Sequence, residues 1–179
     1  MEIAVLVIAF LALLATWVTW TTTRLDRLDT RVDAAQASLD AQLVRRAAAV
    51  QALADRAPEP LGAARTERLR TASRAALEAD ASVREAAEND LGRAVADLPP
   101  GLDPDSMRDL VDASTRVVLA RRFYNDAVRD TRSLRSRRLP RLLAPAGRRP
   151  LPAFFEIADA PVPRRGTTEP ETPASPVRR

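Results

Sequence analysis

Residues 3–20, IAVLVIAFLALLATWVTW, form an uncharged apolar run at the N-terminus. Eighteen residues at about 1.5 Å each span roughly 27 Å as a helix, close to the hydrocarbon thickness of a bilayer. Thr16 and Thr19 are tolerable there, because each hydroxyl can bond back to the preceding turn. Trp17 and Trp20 stand at one end, where indoles favour the headgroup level. A cleaved signal peptide is the competing reading. It calls for a basic start, a shorter apolar stretch and a small-x-small cleavage site. This chain starts Met1-Glu2 and its run ends in Trp and Thr, so a retained anchor over 1–20 is expected. Arg24, Arg27 and Arg31 follow the span and no basic residue precedes it. The positive-inside bias then puts the N-terminus outside and the rest in the cytoplasm, with Trp17, Trp20, Arg24 and Arg27 at the membrane interface.

The remaining sequence reads as helix. Of 179 residues, 46% are hydrophobic but only 4% aromatic, so Ala, Leu and Val carry the apolar share, and Ala, Leu, Arg and Glu lose little freedom in a helix. Leu25, Leu28, Val32, Ala35, Leu39, Leu43, Val50 and Leu53 follow three/four spacing, apart from one extra-residue shift after Leu39. No Pro or Gly interrupts 21–56, so the membrane helix is expected to run unbroken into the first bundle helix. Pro58-Glu59-Pro60 ends it. A second helix is expected over about 61–96, with Leu69, Ala72, Ala76, Val83, Ala87, Leu91 and Val95 on one stripe, ended by Leu98-Pro99-Pro100-Gly101. Asp103-Pro104 reads as an N-cap and first helical position. It opens a third helix to about residue 135, with Met107, Leu110, Ser114, Val117, Arg121, Tyr124, Val128 and Thr131 at a/d spacing and Val111, Val118 and Ala127 widening the band.

The expected fold is therefore all-α: an N-terminal transmembrane helix continuing into an antiparallel up-down-up bundle. On that layout the 99–103 turn lies near the bilayer and the end of the third helix about 50 Å from it. From about 136 an Arg- and Pro-rich extension begins, and 157–179 is a Pro-rich tail expected to be disordered.

Three stretches together resemble the LemA family of bacterial membrane proteins. The run 31–46 (RVDAAQASLDAQLVRR) resembles that family's first soluble helix. The run 120–130 (ARRFYNDAVRD) resembles its last helix, with an aromatic-Tyr-Asn-x-x-Val pattern, and 152–156 (PAFFE) its terminal Pro-x-Phe-Phe signature. Two features depart from the pattern: 47–53 is plain helix where the family has an Ile-Pro-Asn-Leu-like continuation, and 143–149 is Arg- and Pro-rich where it has a Gly-rich apolar loop. The resemblance covers about 1–160. It implies a cytosolic helical bundle of 21–156 on one anchor in a bacterial cell membrane, and no defined activity.

The chemistry available is narrow. Without Cys, His or Lys, the chain lacks thiolates, the usual zinc and haem ligands, Schiff-base lysines and the commonest neutral-pH base. Spaced carboxylates such as Asp33 with Asp40, or Asp126 with Asp130, read as solvated faces paired with Arg45, Arg46 and Arg129 rather than as a metal or acid/base site. No enzyme, cofactor or metal is expected. Tyr124 sits in core phase while Asn125 falls off it, which makes Asn125, with Asp126 and Arg129, the better candidate for an interaction surface. Phe154 and Phe155 are expected to pack back on the bundle, and with Arg137 and Arg138 they complete the candidate surface.

A net charge of +4 demands neither nucleic acid nor an anionic leaflet. Two functions remain: a non-enzymatic membrane scaffold that binds a protein partner, or a binder of anionic surfaces through the Arg-rich segment 132–149. A terminus about 50 Å from the bilayer argues against the second on a Debye length of about 8 Å. The lack of aromatics for stacking argues against sequence-specific nucleic-acid binding. Homo-oligomerisation stays open.

Overall fold

The computed structural model describes residues 1–136 and 150–158. Five helices occur among them: α1 (Glu2–Arg56), α2 (Pro58–Leu61), α3 (Ala63–Glu78), α4 (Arg84–Ala96) and α5 (Pro104–Arg135). The expected all-α architecture, with the apolar run continuing without a break into a bundle helix, is what the chain forms. Its segment Glu2–Trp20 is long and apolar enough to cross a bilayer, and none of it is buried in the fold. Thr16 and Thr19 donate back to the carbonyls of Ala12 and Ala15 at 2.8 and 2.9 Å, so neither hydroxyl is left unsatisfied.

α1 ends where Pro58 removes a donor. The single turn α2 follows, and Gly62 at φ 76 redirects the chain into α3, a left-handed conformation that glycine adopts at no steric cost. α5 begins as expected, with the Asp103 carboxylate accepting from the Ser106 amide at 2.9 Å. Those hydrogen bonds hold the Asp103 carboxyl below its ordinary value.

The stretch 61–96 is not the single helix expected from its apolar stripe. It is two, α3 and α4, and the break is local chemistry. Ala79 turns extended (φ −63, ψ 127). The Asp80 carboxylate then accepts from the Ser82 amide at 2.8 Å, the Ser82 hydroxyl at 2.6 Å and the Val83 amide at 3.3 Å. A short acidic side chain that collects the next free amides competes with helix continuation, and the same bonds lower the pKa of Asp80. The break also shifts the helical phase. Val83, expected in the stripe, is 51% exposed, whereas Glu88 is buried.

The split reverses everything after it. α3's 16 residues reach only about 24 Å, and α4 returns alongside, tied by Arg65 and Arg68 to Asp97. α5 therefore starts at the far end, where Arg56 meets Asp109 at 3.2 Å, and runs back antiparallel to α1. It finishes with Asp130 on Arg31 at 3.3 Å and Arg135 on Asp29 at 2.6 Å. The all-α antiparallel bundle stands, but with four passes, two of them short, in place of three long ones. The 99–103 turn lies at the far end rather than beside the apolar span, and the end of α5 lies near that span rather than about 50 Å away.

Two cores result. The far one joins α1, α2, α3, α4 and the start of α5 through residues such as Val50, Leu53, Leu61, Leu69, Leu91 and Leu110. The near one joins α1 and α5 through Val32, Leu39, Leu43, Val117, Tyr124 and Val128. On α5, Ala113, Ala120 and Ala127 are buried, while Ser114 and Arg121, expected at a/d positions, are half-buried. Arg137, Arg138 and the rest of the Arg-rich segment to 149, and the tail beyond 158, lie outside the described residues.

Candidate interaction site at the strap groove

Residues 150–158 have no regular secondary structure. They form a strap across α1, α4 and α5. Phe154 and Phe155 are half-buried against the near core, and Ile157, placed by the sequence at the start of the tail, is buried in it. Two antiparallel helices cover each other along one seam only. The strap supplies the third wall that the near core needs.

Five side chains hydrogen-bond to it. The Tyr124 hydroxyl donates to the Ala153 carbonyl at 2.9 Å. Burial raises the pKa of this phenol, which Asp40 and Glu85 reinforce, so it stays a donor at neutral pH. The Asn125 amide works at both ends: its nitrogen donates to the Phe155 carbonyl at 3.1 Å and its oxygen accepts from the Phe155 amide at 2.9 Å. This is the pairing that a neighbouring strand would offer. On α4, Glu85 accepts from the Glu156 amide at 2.9 Å and Asn89 from the Ala158 amide at 2.8 Å. Arg135 adds a bond to the Pro150 carbonyl at 3.5 Å. All of these bonds end on strap backbone atoms. Arg132 covers the Phe154 ring at 5.2 Å, a cation–π contact.

Beside the strap lies an open hollow of about 610 Å³ lined by Arg121, Asn125, Arg129, Phe154, Glu156 and Ile157. Its rim carries both signs of charge. Asn125, Arg129, Phe154 and Phe155, four of the residues singled out from the sequence, thus meet at one place, with Asp126 beside them in an exposed ion pair with Arg129. Trp17, Trp20, Arg24 and Arg27 lie far from it, on the lower part of α1, where the Arg24 guanidinium sits 5.4 Å over the Trp20 ring.

Sequence reasoning missed Glu85 and Asn89, which carried no signal, and a buried ion pair. Arg46 on α1 meets Glu88 on α4, with only 8% and 1% of their surfaces exposed. Burial raises the Glu88 pKa, and Arg46 opposes the rise. Glu88 Oε1, Arg46 Nε and the nearby Gln42 Oε1 are buried without hydrogen-bond partners among the described residues. Glu88 was illegible because a continuous 61–96 helix puts it off the apolar stripe.

No family model, curated protein or solved structure matches this chain.

Proposed function

We propose that the chain is a non-enzymatic, LemA-like interaction module anchored in a bacterial cell membrane by the lower part of α1, with its bundle on the cytoplasmic side. The observation that carries this reading is the continuity of α1, 55 residues from Glu2 to Arg56. An unbroken helix transmits position from bilayer to bundle, as suits a scaffold. Orientation rests on Arg24, Arg27 and Arg31 after the span. The lack of His, Cys and Lys narrows the catalytic options. The test is alkaline extraction of membranes followed by intact mass. The reading expects a membrane-retained chain that keeps residues 1–20. A soluble chain starting near residue 21 would overturn it. A C-terminal reporter fusion active outside the cell would overturn the orientation.

A second reading gains support from the direction of α5. Arg135 lies level with Asp29, nine residues beyond Trp20 and so about 14 Å further along α1. Both flanks of the Arg-rich segment 132–149 start there, under two Debye lengths of about 8 Å beyond Trp20, where a separation of about 50 Å would be about six. Binding of that segment to an anionic leaflet is thus compatible with the anchor. In nanodiscs, trypsin protection at 137–149 should appear with anionic lipid and be absent with neutral lipid. Equal cleavage in both removes this reading.

A further inference from the structure

We propose that the strap groove is a docking site for an extended peptide, and that its second occupant is the same segment, 150–158, of a neighbouring copy of this chain. The groove recognises main chain. Tyr124, Asn125, Glu85, Asn89 and Arg135 all bond strap backbone atoms. Such recognition gives affinity from the backbone and takes its specificity from the few side chains that enter pockets. Here those are Phe154, Phe155 and Ile157, which pack on the near core. The peptide this groove fits therefore carries two adjacent aromatics and, after one intervening residue, an aliphatic side chain in extended form, and this chain carries them at Phe154, Phe155 and Ile157.

The strap is also topologically exchangeable. The helices α1 to α5 close the far core without it. It joins α5 through the thirteen residues 137–149, which span at most about 45 Å at full extension. Helices are about 10–12 Å across, so a neighbouring bundle's groove is within reach. An exchanged strap makes the same contacts as the docked one, so swapping costs little in contact energy. Confinement of copies to one bilayer raises the encounter frequency that the tethered strap must otherwise outcompete. The inference rests on the anchored-module reading for that shared plane; membrane extraction tests the anchor separately from exchange.

The chain has no cysteine, which allows a clean test on the full-length protein. Ala158 and Asn89 adjoin through a 2.8 Å bond. A doubly substituted chain, Asn89→Cys with Ala158→Cys, should close an internal disulfide and so validates the pair. Chains bearing Asn89→Cys and chains bearing Ala158→Cys are then co-reconstituted in one bilayer. A disulfide-linked heterodimer is expected, increased several-fold when the Asn89→Cys chain also carries Phe155→Ala and Ile157→Ala, which weaken its own strap. Asn125→Leu in that chain should abolish the gain. Absence of a heterodimer with the weakened acceptor, while the double variant closes, overturns the proposal. So does an equal yield from Ala48→Cys, an exposed α1 position, paired with Ala158→Cys. A synthetic 150–158 peptide that docks without any heterodimer would assign the groove to a free peptide and likewise overturn exchange between copies.

Discussion

The far half of the bundle is closed by helices alone, whereas the near half is a two-helix hairpin closed by a strap. Leu53, Leu91 and Leu110 in the far core are 0% exposed, because α3 and α4 roof the α1–α5 pair. Towards the apolar span α3 and α4 end, and the same pair would leave its seam open. The chain completes it with Phe154, Phe155 and Ile157, held by side chain–backbone bonds. Such bonds contribute about 0.5–1.5 kcal/mol each net, far less than a helix packing face. Stability is thus concentrated at one end, and the end that can open is the one nearest the apolar span.

Substitutions at the boundary between the halves should have the largest effect. Glu88→Leu leaves Arg46 buried without its counter-charge and should cost about 3–5 kcal/mol by denaturant unfolding, while Arg46→Leu with Glu88→Leu together should be neutral or stabilising. A double variant as unstable as the single one would mean that the pair itself holds α4 on α1. The pH dependence carries a sign. Glu88 has a raised pKa in the folded state, so the native state holds this proton more tightly than the unfolded chain does. Stability should then fall as pH rises from the ordinary glutamate range to the raised value and be level above it. Glu88→Gln should remove that slope.

Leu110→Ala, in the far core, should cost about 2–5 kcal/mol and unfold the whole bundle. Asn125→Ala, which strips both bonds to Phe155, should cost about 1–3 kcal/mol and act locally: amide exchange should accelerate on 150–158 and the near half of α5 before it does on α3 or α4. Uniform acceleration would mean that the two halves unfold as one unit and erase the contrast. The smallest effect is expected at the hinge of the α3–α4 hairpin. Asp80→Ala should loosen 79–84 in amide exchange with little change in global unfolding, whereas fusion of α3 and α4 into one straight helix would be a rearrangement the present packing forbids.

The strongly periodic parts were legible in the sequence. α1 and α5 emerge with the expected bounds because Pro58 and the Asp103-Pro104 pair are unambiguous punctuation. The break at Asp80 was hidden: neither Pro nor Gly marks it, and Ala79, Ala81 and Val83 fit a helical stripe as well as a turn. Its signal was Asp80 with Ser82, a pair that caps as readily as it continues. One misread turn then inverted α5 and carried its end, with Arg132 and Arg135, from the far tip to the near end. The strap groove was half legible. Tyr124, Asn125, Phe154 and Phe155 stood out by phase and composition, but their partners Glu85 and Asn89 depend on the phase that α4 acquires after the break.

The return of α5 is the claim on which both cores and the groove depend, and a single distance tests it. Nitroxides at Ala34→Cys and Ser133→Cys, both exposed positions, can be measured by pulsed dipolar spectroscopy on the intact chain. With α5 antiparallel to α1 the two labels should lie within about 20 Å, whereas an α5 running away from the apolar span puts them on the order of 30 Å or more apart at 1.5 Å per residue. The short distance is the expected result; the long one would contradict the four-pass bundle, the near core and the strap groove together.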